Sequence, residues 1–445
     1  MADLARYPIE EFLRPVLIQL AVIIAAARLL GRLARKVGQP AAVGEVVAGL
    51  LLGPSFFGWL SPTLHAAVFH PSFPGLDPEI GQAAFGKVMA VLAQIGLILI
   101  LFLIGLEFDF SHLKVTGRAA LLVTLFGSAI PFSLGVGLAP LIHPTLEPHP
   151  TAGPVPLVGM ALFLGVALSV TAIPMLGRIM IEFGISRTRL AAIAIAAAAA
   201  GDAVAWIMLA AVSAFVKSSL RPGEIATVAG LTVAFVAVMI VVVGPILNRF
   251  LAARTVQSGG TLPPDALAAV LVAVLVAGVV TQWIGLFAVF GAFVLGATLS
   301  GTPALRSGIA PRLRDFTTVF FQPIFLTSAG LRTELQGLTA TQWLVGLAIF
   351  TAALLGKLGG CSLAARLGGL RGREALLIGA FMNTHGLVDV IVLHVGYELG
   401  VVPKSLFAVL VLIVLATMAM TTPLVRWWSC GTEFEAPIRE SGFTK

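Results

Sequence analysis

From Leu190 to Val216 the chain carries one charge, Asp202, inside "AAAAAGDAVAW". A helix needs roughly 20 apolar residues to cross the hydrocarbon of a bilayer. A carboxylate placed mid-way costs roughly 2.5–3.5 kcal/mol on insertion scales. The segment therefore predicts a transmembrane helix and a functional reason for its acid. Composition extends the first point to the whole chain: of 445 residues, 58% are hydrophobic and 11% are charged, against about a quarter charged in soluble domains. So few charges cannot cover a water-facing surface, and the chain reads as a polytopic all-helical membrane protein. The net charge of +7 does not point to nucleic acid, because the basic residues fall in short connections between apolar segments and form no basic soluble domain. Cys361 and Cys430 suggest neither a disulfide framework nor a metal site. In "MADLARYPIEEFLRPVL" acids precede the first apolar run, and "RLLGRLARK" follows it. That order is the reverse of a secretory signal, so the first helix is expected to be retained.

About thirteen apolar stretches reach spanning length. The least defined boundary lies in "VVTQWIGLFAVFGAF", where Trp283 and Gly285 mark a short turn; without a turn there the count is twelve. With thirteen spans the Lys and Arg residues outside the membrane divide 20 to 7 between the two sides. The positive-inside rule then puts the N-terminus outside and the C-terminus in the cytoplasm. Residues 1–430 are expected to form one membrane domain and residues 431–445 a short polar cytoplasmic tail. The expected location is a bacterial inner (plasma) membrane.

Four charges fall where lipid should be: Glu45, Asp202, Lys357 and Asp389. Glu107 and Asp109 end the third span and read as solvated. Asp202 is the sharpest candidate, because its Ala and Gly neighbours allow close backbone approach and access for water or an ion; the alternative is a protonated Asp bonded to a neighbouring helix. For Lys357 in "LLGKLGG" the alternative is snorkelling, but the next charge, Arg366, is more than two helical turns away. Asp389 needs only the interior side of a packed helix.

Two spans are expected to be broken. In "GVALSVTAIPMLGR" Pro174 removes a donor and frees carbonyls near Val170, with Ser169 and Thr171 adding hydroxyls. In "FMNTHGLVDV" Asn383, Thr384, His385 and Gly386 place polar groups and a joint at mid-span. Irregular backbone at this depth survives only inside protein or beside a cavity. The two segments lie on the fifth and twelfth spans and so cross in opposite directions, the sequence signature of a transporter site at the midplane. His385 is either a hydrogen-bonding wedge or a pH sensor.

These motifs carry a resemblance. "GQPAAVGEVVAGLLLGPS", "LFLIGLEFD", "GVALSVTAIPMLGRIM", "GDAVAW", "FFQPIFLTSAGLRTEL", Lys357 in "GK" and "GAFMNTHGLVDVIVLHVG" follow in order from about residue 16 to 430. Together they resemble the monovalent cation:proton antiporter superfamily, on the branch of plant cation/proton exchangers and bacterial potassium-efflux (Kef-type) and Na⁺/H⁺ exchangers. The resemblance implies a NhaA/NapA-like fold: an inverted repeat with two crossed, broken helices, a core and a dimerisation subdomain, and homodimers. It implies that Asp202 alternately binds a proton and Na⁺ or K⁺, with the breaks around Thr171 and Thr384 nearby. It implies no cofactor and no enzymatic reaction. The chain departs from the pattern at Gly201, where relatives carry Asp or Asn, and at His385 and Asp389, where they often carry Lys and Glu. With Gly201 present, Lys357 either pairs with Asp202 or acts as a fixed positive charge.

The physics stands beside the resemblance. Taking a carboxylate out of water favours its protonated form, and a bare cation displaces that proton only where oxygens replace its hydration shell. Competition at one carboxylate predicts one proton for one cation; a second proton on Lys357 would make exchange electrogenic. Two other classes stay open. A cation channel would pass ions without proton coupling. An intramembrane aspartyl protease would need a facing acid, and no Tyr-Asp pair exists in the chain. Sequence does not separate Na⁺ from K⁺.

Overall fold

The computed structural model describes residues 7–37, 39, 41–107, 117–172, 176–177, 179–180, 183–185, 188–217, 222–258, 262–301 and 303–440. Every named element among them is helical, apart from one isolated bridge between His149 and Gly153. In chain order the helices are α1 Ile9–Lys36, α2 Ala41–Leu52, α3 Pro62–Phe69, α4 Pro78–Glu107, α5 Arg118–Ile142, α6 Leu157–Ser169, α7 Arg189–Lys217, α8 Pro222–Val238, α9 Gly244–Gln257, α10 Pro264–Ile284, α11 Ala288–Leu299, α12 Pro303–Phe316, α13 Gln322–Leu331, α14 Ala340–Leu354, α15 Gly360–Leu367, α16 Gly372–Met382, α17 Leu387–Glu398, α18 Lys404–Trp428 and α19 Glu435–Glu440. Single π-turns join α8 to α9 (Met239–Val243), α12 to α13 (Thr317–Phe321) and α14 to α15 (Leu355–Gly359).

Among the described residues nine helices are long and apolar enough to span a bilayer, and the bent pair α16 and α17 makes a tenth. Two shorter apolar helices, Leu157–Ser169 and Ala288–Leu299, lie at the expected fifth and ninth spans. Along α8, its π-turn and α9, the side chains of Val233, Ile240, Val241 and Ile246 are exposed. An apolar face of that length suits lipid rather than water. The turn expected near residue 285 is present. Gly285 adopts φ +103°, and Leu286 N–H returns to the Thr281 carbonyl at 2.9 Å. That left-handed cap ends α10 and lets α11 begin three residues later.

The chain divides into two compact units, residues 1–100 with 314–338, and residues 101–313 with 339–445. In the first, Phe12 stacks on Phe73 with centroids 5.0 Å apart, within a core that includes Leu20, Ile23, Phe85 and Ile324. Glu45 belongs to this unit. Its side chain is buried and accepts from Gln322 Nε2 at 3.0 Å, and its carbonyl accepts from Thr327 Oγ1 at 3.2 Å. Glu45 is thus tied into the packing of α2 on α13.

The second unit holds Asp202, Lys357, Asp389 and both expected breaks. Its close packing rests on small residues. A Cβ on Gly135 of α5 would lie 2.7 Å from the backbone of Gly165 on α6, so these two helices touch backbone to backbone. The tail is packed into this unit as far as Ile438, which is buried. Phe434 is buried against Phe381 of α16, centroids 5.6 Å apart. The Glu433 carboxylate accepts the Leu190 N–H at 2.7 Å, placing negative charge at the N-terminus of α7, where the helix dipole favours it.

Two outcomes are expected. Gly285→Ala forces a Cβ into left-handed backbone and should cost about 1–2 kcal/mol. Glu433→Ala should cost about 1 kcal/mol through the lost cap. Both are read as a lower thermal midpoint of the purified protein in detergent, with Glu440→Ala as a control that leaves it unchanged.

Candidate functional site

The first break begins where expected. α6 ends at Ser169, and Val170 turns to extended backbone with φ −66° and ψ 148°. Ser169 Oγ donates back to the Gly165 carbonyl at 2.7 Å. Helix resumes by Leu176. Pro174, whose missing N–H motivated the expectation, lies outside the described residues.

The second break runs from Asn383 to Gly386, and the axes of α16 and α17 differ by 46°. Local chemistry builds it. Gly386 has an extended backbone, φ −178°, and its N–H donates to Asp389 Oδ2 at 2.6 Å. Asp389 therefore caps the first turn of α17 and complements its dipole. His385 Nδ1 lies 3.0 Å from the Asn383 carbonyl. A carbonyl only accepts, so Nδ1 carries the proton. Nε2 then faces Asp389 Oδ1 at 3.9 Å. The imidazole is wedged between the two ends of the break.

The breaks meet. The Ala172 N–H donates to the Thr384 carbonyl at 3.0 Å, and Thr171 Oγ1 donates to the Met382 carbonyl at 3.2 Å. Each interrupted strand of backbone thus supplies partners that the other lost, which is what the hydrocarbon interior requires. The Thr384 hydroxyl turns toward Thr421 of α18 at 3.5 Å.

Lys357 completes the crossing. It sits on the π-turn between α14 and α15, 1% exposed. A π-turn rotates the side chains that follow it and is common at functional sites. Close packing holds it there, since a Cβ on Gly356 would meet Pro131 of α5 at 2.9 Å. The ammonium donates to the Ser169 carbonyl and to Thr171 Oγ1 at 2.8 Å. One chain of hydrogen bonds therefore runs from Lys357 through the Thr171 hydroxyl to the Met382 carbonyl. The cation stands at the negative end of the α6 dipole. These bonds hold the ammonium at a helix end.

Asp202 lies on α7, 2% exposed, with Ala197, Ala198 and Ala199 buried beside it. α7 packs against α5, α6 and α16. Asp202, Asp389 and Cys361 all lie within electrostatic range of Lys357. Gly201 is buried, yet a Cβ there would meet no atom of the described residues within 4 Å, so these residues leave room next to the carboxylate. The structure brings Ser169, Thr171, Lys357 and the backbone of Thr384 into one hydrogen-bonded cluster. Sequence reasoning missed the capping role of Asp389, which a Gly with an acid three residues later could have signalled. It also gave Asn383 no role beyond polarity.

Known proteins bear on this arrangement. The transmembrane sodium/hydrogen exchanger family matches residues 21–427. The chain belongs to the sodium/hydrogen exchanger family. Within it, a Na(+)/H(+) antiporter of Synechocystis is 33% identical over 92% of this chain and 96% of its own length. Arabidopsis cation/H(+) antiporter 17 is 34% identical, and this chain spans 49% of that protein; it covers about half of the other plant relatives too. The solved sodium proton antiporter of Methanocaldococcus jannaschii superposes with a TM-score of 0.60 over 97% of this chain and all of the other, at 17% identity. That likeness concerns the exchanger fold.

The Lys357 chain yields an expected outcome. Lys357→Met leaves the Ser169 carbonyl without its donor and should cost about 1–3 kcal/mol, as should Thr171→Val. The double variant should lose less than the sum, because both residues act in one chain. Thermal midpoints of the four proteins in detergent check this.

Proposed function

We propose that this exchanger-family protein is a secondary active antiporter that exchanges a monovalent cation, Na⁺ or K⁺, for H⁺. One observation carries the reading: a buried carboxylate, Asp202, on a helix packed against two half-helices whose breaks cross. Relatives named Na(+)/H(+) antiporter, K(+)/H(+) antiporter (Saccharomyces cerevisiae, 30% identical) and Na(+)/H(+)-K(+) antiporter (Bacillus cereus, 25% identical) support it. They also span both ions, so the cation is named here by class.

The mechanism follows from charge. An ionised carboxylate in a low-dielectric site resists crossing, whereas the same group carrying a proton or a cation is neutral. Proton and cation compete for Asp202, and only the neutralised site moves. Room beside Gly201 admits the ion, and oxygens from the crossed breaks at Ser169, Thr171 and Thr384 help replace its water. Lys357 supports the site as a fixed charge. Its two hydrogen bonds to the α6 end oppose its acting as a second proton carrier, which favours one proton for one cation. His385 serves as the wedge of the second break.

In this reading the second unit is the moving core and the first unit the dimerisation element of a homodimer. The protein sits in a bacterial inner membrane with its N-terminus outside and its C-terminus in the cytoplasm, as the charge bias of the loops indicates.

The test uses proteoliposomes that hold a pH gradient and an internal pH dye. Adding Na⁺ or K⁺ is expected to collapse the gradient, with equal rates whether or not the membrane potential is clamped. Asp202→Asn is expected to abolish the effect. Cation flux without proton movement would replace antiport by a channel.

A further inference from the structure

One polar side chain at the crossing has no task in the mechanism above. Asn383 ends α16 and is fully buried, 0% exposed. Its backbone is satisfied: the N–H donates to the Gly379 carbonyl at 3.0 Å, and its carbonyl accepts from His385 Nδ1 at 3.0 Å. Its carboxamide is not. Neither Oδ1 nor Nδ2 hydrogen-bonds any group among the described residues. Buried polar groups in proteins are almost always paired, and an unpaired amide in an apolar interior is costly.

A backbone reason for asparagine is absent here. Asn is favoured at helix ends that turn left-handed, but Asn383 has φ −82°, which any residue adopts. A structural hydrogen-bonding role would look like that of its neighbours. Thr171 bonds both Lys357 and Met382, and the Thr384 hydroxyl meets Thr421.

The charge pattern points to the partner. Two half-helices present C-terminal ends to this crossing, and each end carries partial negative charge. The ammonium of Lys357 occupies the end of α6. The end of α16 receives hydroxyl and imidazole donors from Thr171 and His385. The α16 end is therefore where a mobile cation is favoured, and the Asn383 carboxamide stands on it. An amide oxygen is a hard, uncharged ligand of the kind that coordinates such cations. It removes a water from the ion without adding a second charge to be balanced.

We propose that Asn383 is a ligand of the transported cation: Oδ1 replaces one hydration oxygen of the Na⁺ or K⁺ that neutralises Asp202, and so sets cation affinity and preference without taking part in proton binding. This rests on the antiport reading.

The test measures the half-saturating concentrations of Na⁺, K⁺ and Li⁺ in the dye-loaded proteoliposomes. Asn383→Ala is expected to raise them about tenfold, unequally among the ions, with the maximal rate close to wild type. Asn383→Asp keeps an oxygen at the same reach but adds a charge, so it is expected to recover most of the affinity and to make it fall at low pH, where the new acid is protonated. A second readout needs no transport: the rise in thermal midpoint on adding each cation in detergent should shrink in Asn383→Ala and return in Asn383→Asp. Should Asn383→Ala fail to fold, Asn383→Ser, whose hydroxyl is too short to reach, takes its place. Wild-type half-saturation for all three ions in Asn383→Ala, or equal impairment in the Ala and Asp variants, overturns the proposal and leaves antiport standing. A wild-type protein that moves no protons with any cation, and whose midpoint no cation shifts, overturns antiport itself.

Discussion

A peptide carbonyl without a donor is expensive in hydrocarbon, and this protein interrupts two of its apolar helices. The interruptions are tolerated because they are made good by one another and by Lys357. Thr171 and Ala172 donate to the far strand, and the ammonium donates to the Ser169 carbonyl. Remove any member and the remaining groups are stranded together. The π-turn that aims Lys357, the glycine contact that lets α5 and α6 touch, and the Asp389 cap on α17 are all arranged around this crossing.

The crossing also creates the electrostatic setting for exchange. Two negative helix ends would hold a cation tightly, and tight binding opposes turnover. In the proposed mechanism a lysine on one of them, with Asp389 already committed to the cap of α17, leaves a charge that Asp202 balances with one proton or one cation. A second acid in place of Gly201 would give Lys357 a carboxylate partner; without it the amine is satisfied by a carbonyl and a hydroxyl. Glu45, the remaining buried acid of the first unit, is bound to Gln322 and belongs to packing.

Much of this was legible in order along the chain. Apolar length marks the spans, Gly285 marks the turn between α10 and α11, and the run Asn383 to Gly386 marks the joint between α16 and α17. These are local properties: a helix end or a left-handed cap is decided by a few neighbouring residues. The site was legible only in part. Asp202, Lys357 and Asp389 stood out because charge in lipid has few innocent readings, but the cap that Asp389 makes depends on its bond to Gly386, and Asn383 carries no charge to mark it.

The sequence by itself determined that the chain is a membrane helical protein and where its helices break, because hydrophobic length and backbone chemistry act over short distances. Only the tertiary structure decided which break meets which, and what Lys357 holds. Thr171 and Met382 are separated by 211 positions in the chain, and Lys357 and Ser169 by 188. Contacts of that span are set by how whole helices pack. A side chain as long as lysine can reach several partners from one position, and only the direction given by the π-turn selects the end of α6.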